Sequence, residues 1–266
     1  MAGQRDDPRA PGPSYALVTG ASRGLGRFFA RALAKRQHNL VIVARAQDKL
    51  ESLADELRSS VGVMVEPVAF DLAQPGAGLR LAQELQAREL HINLLVNNAG
   101  FSERGDFIKL SLERQLEMIY LQNTAVVELT YQLLPAMIEA GGIINVSSMA
   151  GFQPVPYAAI YSATKSFLTT FSMALREELR PTGVKIVTVC PGRLRADPED
   201  VENVGKRQKV PGGEQGHEEV VNETLKKLDQ GGGLVIPGRK NRLIVRGQRL
   251  ISPNAVPKIV ARLSRP

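Results

Sequence analysis

Short runs of unbroken apolar residues alternate along this chain with longer stretches whose apolar positions return every three or four residues. Tyr15-Ala-Leu-Val-Thr19 is the first run and Asn39–Ala44 (NLVIVA) the second. Val61–Phe70, His91–Val96, Gly142–Ser147 and Val184–Cys190 follow, and Leu234–Ile236 is a short seventh. Between them the spacing predicts helices from the glycine-rich turn after Thr19 to about Arg36, and over Ala46–Ser59 and Gly78–Glu89. Three more are predicted over Ser111–Ala140 (with Pro135 in its last turns), Tyr157–Arg180 and Glu218–Gln230. A strand that is apolar at every position is covered on both faces. Strands of that kind alternating with helices indicate a parallel sheet with helices on either side. The fold class expected is α/β, one doubly wound domain with about seven strands.

Two segments break the rhythm at the ends and one breaks it inside. Residues 1–13 (MAGQRDDPRAPGP) carry proline, glycine and charge without periodicity, and are expected to be a disordered leader. The domain is expected over residues 14–237 and a basic extension over 238–266. Pro191–Gly216 is charged and proline-bearing, and a loop of that length in a compact domain is usually functional or disordered. Following a strand C-terminus, where open α/β sheets bind ligands, it is expected to be a substrate lid.

Composition narrows the function classes. With 266 residues the chain can bury a sizeable core, and 43% hydrophobic with 23% charged residues is ordinary for a globular protein. Tryptophan is absent and aromatics are few, which disfavours base-stacking nucleic-acid modules. One cysteine, Cys190, allows no internal disulfide, and His38, His91 and His217 are scattered without metal-ligand spacing. No run approaches a membrane span and the first residues hold no signal-peptide core, so a cytoplasmic location is expected. The net charge of +7 is local: Arg239–Pro266 carries eight Lys/Arg and no acid, against 26 basic and 27 acidic residues elsewhere.

The candidate chemistry sits mostly where predicted strands end. Gly20, Gly24 and Gly26 follow the first strand, where glycine allows a tight turn and close approach of a pyrophosphate to a helix N-terminus. An NAD-type site places a carboxylate at the end of the second strand, but here Ala44 and Arg45 stand there. Arg45 and Arg23 suit a ribose 2′-phosphate, so NADP(H) is preferred over NAD(H). Asp71 ends the third strand, either as an acceptor for an adenine amino group or as a turn aspartate. Asn97-Asn98-Ala99-Gly100 ends the fourth. Tyr161 alone among the five tyrosines has a lysine, Lys165, four residues on, with Ser148 thirteen residues upstream. On one helix face the ammonium would stand beside the phenol and lower its pKa from about 10.

Taken in order, TGASRGLG at Thr19–Gly26, Asp71, NNAG, Asn123, Ser148, Tyr161-x-x-x-Lys165 and Pro191-Gly192 closely resemble the short-chain dehydrogenase/reductase family over about residues 14–237. The resemblance implies a Rossmann-type domain carrying cofactor and catalytic residues together. It implies Tyr161 as proton donor or acceptor, Lys165 as its activator and ribose contact, Ser148 as a hydrogen-bond donor to the carbonyl oxygen and Asn123 as holder of a relay water. For the dinucleotide it implies Gly20, Ser22, Arg23, Gly24, Leu25, Gly26, Arg45, Asp71, Leu72, Asn98, Ala99, Gly100, Tyr161, Lys165, Pro191, Gly192 and Leu194. The family often has a threonine four residues after the glycine of its Pro-Gly pair, and here Ala196 stands there. A homodimer or homotetramer is implied through the helices predicted at Ser111–Ala140 and Tyr157–Arg180.

The reading is an NADPH-dependent oxidoreductase that reduces a carbonyl to a secondary alcohol reversibly. The competing expectation is a dinucleotide-binding regulatory or scaffold protein with little catalysis, against which the intact Asn123, Ser148, Tyr161 and Lys165 set argues. For the basic C-terminus two readings stand. One is an amphipathic segment in peripheral contact with an anionic membrane, disfavoured by Gly247, Pro253 and Pro257. The other is packing on a neighbouring subunit or over the substrate mouth.

Overall fold

The computed structural model describes residues 12–196, 213–248, 251–252 and 254–264. The leader therefore lies outside the described residues up to position 11, and the expected lid does so over 197–212.

In chain order the elements begin β1 (Ser14–Thr19), α1 (Gly24–Lys35), β2 (Asn39–Ala44), α2 (Gln47–Val61), β3 (Val65–Ala69), α3 (Ala77–Ala87) and β4 (His91–Asn97). They continue α4 (Leu112–Ile119), α5 (Ala125–Leu133), β5 (Gly142–Val146), α6 (Ala159–Glu178), β6 (Lys185–Val189), β7 (Arg193–Leu194) and β8 (Glu214–Gln215). The last are α7 (His217–Asp229), β9 (Gly233–Val235), α8 (Arg239–Gln248) and α9 (Val256–Ser264). Seven strands form one sheet in the order β3-β2-β1-β4-β5-β6-β9, and every pair is parallel. The order reverses between β1 and β4, which opens the crevice where such sheets bind ligands.

The apolar runs become strands because both faces of the sheet are covered. Ala16, Val18, Leu40 and Ile42 point into a core built with α1, α2 and α7, around Phe29, Leu33, Leu50 and Leu225. Their neighbours Tyr15, Leu17, Val41 and Val43 point into a second core with α3 and α5, around Leu81, Leu85 and Leu129. Fully burying one such large side chain is worth about 1.5–3 kcal/mol. The two-residue alternation of a strand thus serves two cores at once.

Two expected elements come out differently. The strand expected from Val61 begins at Val65, because α2 runs to Val61 and Gly62 closes it in the left-handed conformation (φ 80°). The single helix expected over Ser111–Ala140 divides into α4, a π turn at Tyr120–Thr124, α5 and a 3-10 turn at Leu134–Met137. Pro135 has no N–H to continue the α ladder, so the end tightens. The π turn inserts one extra residue, and Asn123 lies within it.

Beyond β9 the chain returns to the body. Val245 of α8 and Val256 of α9 are buried, and α8 packs on the 3-10 turn Met149–Phe152. Among the described residues no helix is long and apolar enough to cross a membrane.

Candidate active site

The residues expected at a dinucleotide gather along one edge of the sheet, at the C-terminal ends of its strands. After β1, Gly20 takes φ +68°, and a Cβ on Gly26 would lie 2.2 Å from the Gly20 carbonyl oxygen. Only glycine at both lets the turn fold against the start of α1. Ser22, Arg23 and Gly24 form that turn, while Leu25 turns inward to the core. Arg23, the N-cap residue of α1, makes no side-chain cap bond, and no acid stands in the first turn. Its N–H groups and the positive end of its dipole suit a pyrophosphate. Arg23, at the cap position, and Arg45, just past β2, are both exposed.

Thr19 and Asn98 weld this turn to β4. The Thr19 hydroxyl donates to the Val96 carbonyl (3.1 Å) and accepts from the N–H groups of Asn98 (3.0 Å) and Ala99 (3.1 Å). Asn98 Nδ2 in turn donates to the carbonyls of Thr19 (2.9 Å) and Gly20 (3.2 Å). Gly100 packs against Gln122, whose Oε1 would lie 2.9 Å from a Cβ there. Asp71 accepts from the Ala73 N–H (3.0 Å), the turn aspartate of the two readings, and Leu72 beside it is buried. Pro191, Gly192 and Leu194 follow β6 on the same edge, three strand positions from β1.

The second cluster lies beyond β5. Ser148 caps the turn Met149–Phe152, its hydroxyl accepting from the Ala150 N–H (3.1 Å). That turn presses on α6 so closely that a Cβ on Gly151 would lie 2.6 Å from the Lys165 carbonyl oxygen. The same carbonyl accepts from the Ser147 hydroxyl (2.8 Å). The packing brings the Ser148 hydroxyl beside the Tyr161 phenol, where it favours the phenolate. Lys165, 5% exposed, donates from Nζ to the Val146 carbonyl (2.9 Å) and stands 5.8 Å from the Tyr161 ring centroid. Asn123 is buried in the π turn, with Nδ2 donating to the Thr164 carbonyl (3.3 Å) and Oδ1 without a partner among the described residues.

The electrostatics revise one expectation. Burial holds the Tyr161 phenol above its ordinary pKa, while the Ser148 hydrogen bond and the Arg104 charge pull it down. Lys165 shares a helix with Tyr161 and its ammonium stands over the ring, but its hydrogen bond goes to the Val146 carbonyl at the end of β5, and burial outweighs what lowers the phenol. Burial lowers Lys165 itself to about 8, opposed by nearby Cys190, whose thiol burial pushes up to about 11.

A cavity of 220 Å³ opens onto Tyr161, with Phe107, Leu110, Met118, Tyr157 and Ile160 in its wall. Glu103 and Asp106 also line it, each in an ion pair, with Arg114 (3.1 Å) and with Lys109 (2.6 Å). Tyr157 holds φ +65°, a strained conformation for a bulky residue, and its carbonyl accepts from the Gly105 N–H (2.9 Å). That bond ties the Phe101–Leu110 loop over the cavity. Among the described residues no three His, Cys, Asp or Glu side chains gather to hold a metal ion.

Sequence reasoning passed over Arg104, Ser147, Gln215 and Asn241. Ser147 stands beside a recognised serine, and only its partner across the sheet edge distinguishes it. Arg104 and Asn241 sit in stretches whose spacing says nothing of what they touch.

Residues 14–204 match the model of the family described as short chain dehydrogenase. A ketoacyl reductase, HetN, of Nostoc sp. is 40% identical over 179 residues, covering 66% of this chain and 62% of that protein. A human very-long-chain 3-oxoacyl-CoA reductase is 36% identical over 183 residues, covering 66% of this chain and 58% of that one. The chain thus spans about three fifths of these curated relatives. Among solved structures, a short-chain dehydrogenase from Sphingobium yanoikuyae in complex with NADPH superposes with a TM-score of 0.76 at 31% identity, over 89% of this chain and 93% of that one.

Proposed function

The chain belongs to the short-chain dehydrogenase/reductase family of oxidoreductases, and from that premise we propose that it is an NADPH-dependent carbonyl reductase, reversible as an alcohol dehydrogenase. The observation that carries the reading is Tyr161 in a cavity wall, with Ser148 acting on its phenol and the buried Lys165 ammonium over its ring. The cofactor, when bound, supplies the hydride that adds to the carbonyl carbon. Negative charge then grows on the substrate oxygen, and the two hydroxyls aimed at it stabilise that charge. Tyr161 delivers the proton that completes the secondary alcohol. The raised pKa of the phenol keeps it protonated and able to donate at neutral pH. Lys165 supplies positive charge beneath the site below about pH 8 and a contact for the nicotinamide ribose. Asn123 Oδ1 is an acceptor for the water through which Tyr161 is reprotonated.

The glycine turn, the acid-free first turn of α1, Arg23 and Arg45 support NADP(H) over NAD(H), because guanidinium groups pair bidentately with a 2′-phosphate. The solved relative in complex with NADPH agrees with that preference. The apolar side chains in the cavity wall (Phe107, Leu110, Met118 and Ile160) and the two curated relatives, both named as ketoacyl or 3-oxoacyl reductases, favour a ketone carrying an apolar chain. Exposed Val127, Tyr131, Phe167 and Met173 on α5 and α6 support a homodimer or homotetramer, and a monomeric mass in sedimentation would contradict it. Cofactor choice is tested by titrating NADPH and NADH against the wild type and Arg45→Ala. NADPH binds the wild type more tightly, and the substitution raises its Kd about tenfold while leaving NADH unchanged. Equal binding of both cofactors would contradict the assignment.

A further inference from the structure

Pro191 and Gly192 occupy the turn after β6, and three separate parts of the chain hold that turn. On one side the Pro191 carbonyl accepts from the Met149 N–H (3.0 Å), so the turn is joined to the residue after Ser148. On the other, the Gly192 N–H donates to Gln215 Oε1 (2.9 Å), and the Arg195 N–H donates to the Gln215 carbonyl (2.9 Å). One residue, Gln215, therefore fastens residues 192–195, through its side chain and through the short parallel pair β7–β8. The third part is α8. A Cβ on Gly192 would lie 2.6 Å from Asn241 Nδ2, so Asn241 is packed directly against the turn. Its Nδ2 is held in turn by the Pro237 carbonyl (3.0 Å).

These two amides are expensive to keep. Gln215 is 6% and Asn241 2% exposed, and Gln215 Nε2 and Asn241 Oδ1 have no hydrogen-bond partner among the described residues. Burying a polar group without full satisfaction costs about 1–3 kcal/mol, so an apolar side chain of similar volume would serve stability better. What an apolar side chain would not do is grip the Gly192 N–H. Ala196, a little further on, offers no hydrogen-bonding side chain of its own.

We propose that Gln215 and Asn241 are positioning residues that set the Pro191–Gly192 turn against the nicotinamide end of the cofactor, which makes the C-terminal segment part of the cofactor site. The proposal rests on the NADP(H) reading given above. Its consequence is a split between the two ends of the dinucleotide. The adenosine end is held by the glycine turn, Arg23 and Arg45, which neither amide touches.

The experiment titrates NADPH and 2′,5′-ADP, which carries only the adenosine end, against wild type and Gln215→Met. In the variant NADPH Kd rises about tenfold, the scale of one lost buried hydrogen bond. The Kd for 2′,5′-ADP stays within about twofold of the wild type, because that end is untouched. Unchanged NADPH affinity in a folded variant overturns the proposal, and so does parallel weakening of both ligands. Gly192→Ala and Gly192→Ala with Asn241→Ala give an answer that does not require Gln215→Met to fold. The added methyl strikes Asn241 and weakens NADPH, and shortening Asn241 restores part of the loss. Absence of any restoration contradicts the role of α8. A wild type that binds 2′,5′-ADP no better than 5′-AMP overturns the NADP(H) reading itself, and is distinguishable from either result.

Discussion

The two ends of the sheet edge are built by different means. Around β1 and β4 the site is made from backbone: a left-handed Gly20, a Gly26 with no room for a side chain, an acid-free first turn of α1, and Asn98 tying the strands together. Around β5 and β6 it is made from side chains brought from far apart in sequence. Ser148, Tyr161 and Lys165 meet only because the Met149–Phe152 turn presses on α6, and Gly192 is held by Gln215 and backed by Asn241. The first region is a fixed cradle that tolerates little change, and the second is a set of adjustable parts with separable roles. Within one domain, binding and chemistry thus fail in different ways.

The largest expected effect breaks the cradle. Gly26→Ala puts a methyl 2.2 Å from the Gly20 carbonyl oxygen, and backbone there has nowhere to move. Thermal unfolding should show a loss of about 3 kcal/mol or more, with cofactor binding abolished. Near-native binding in that variant would mean the turn is not the rigid part.

Lys165→Met acts on the other region and should separate activity from stability. Turnover falls about 10²–10⁴-fold, the scale of assisted proton transfer. Stability at pH 7 is equal to or above the wild type, because burying the ammonium is a cost that the variant no longer bears. The sign of the pH dependence follows. Lys165 titrates near 8 when folded and near 10.5 when unfolded, so between those values the unfolded chain holds the extra proton. Wild-type stability therefore gains on the variant as pH rises from about 8 to 10.5. Cys190 works the opposite way between 9.0 and about 11, holding its proton longer when folded, and removing the Lys165 charge takes away one of the influences that lower it. Denaturant melts of the pair across that range measure the difference.

Much of the cradle was legible because local residue types dictate it. The apolar run Asn39–Ala44 is β2 to the residue, and the glycines after Thr19 could serve little else. The second region was legible only in its names. That Tyr161 and Lys165 share a helix face follows from their spacing, yet where Nζ points depends on the Val146 carbonyl, contributed by β5. The π turn at Tyr120–Thr124 interrupts a sequence whose periodicity reads as one helix, because the extra residue is accommodated where α4 and the π turn itself pack against α6. Asp71 was left between two roles, and its Ala73 bond satisfies the local one. Gln215 and Asn241 carry no spacing at all relative to Gly192.

The measurement that bears most directly on the account is reduction of a ketone with an apolar chain, followed as NADPH consumption by wild type and Tyr161→Phe under single-turnover conditions. The account predicts unchanged NADPH affinity in the variant and a hydride-transfer rate lower by about 10²–10⁴. Wild-type turnover in Tyr161→Phe, with NADPH bound as tightly, would contradict Tyr161 as the proton donor and with it the proposed chemistry.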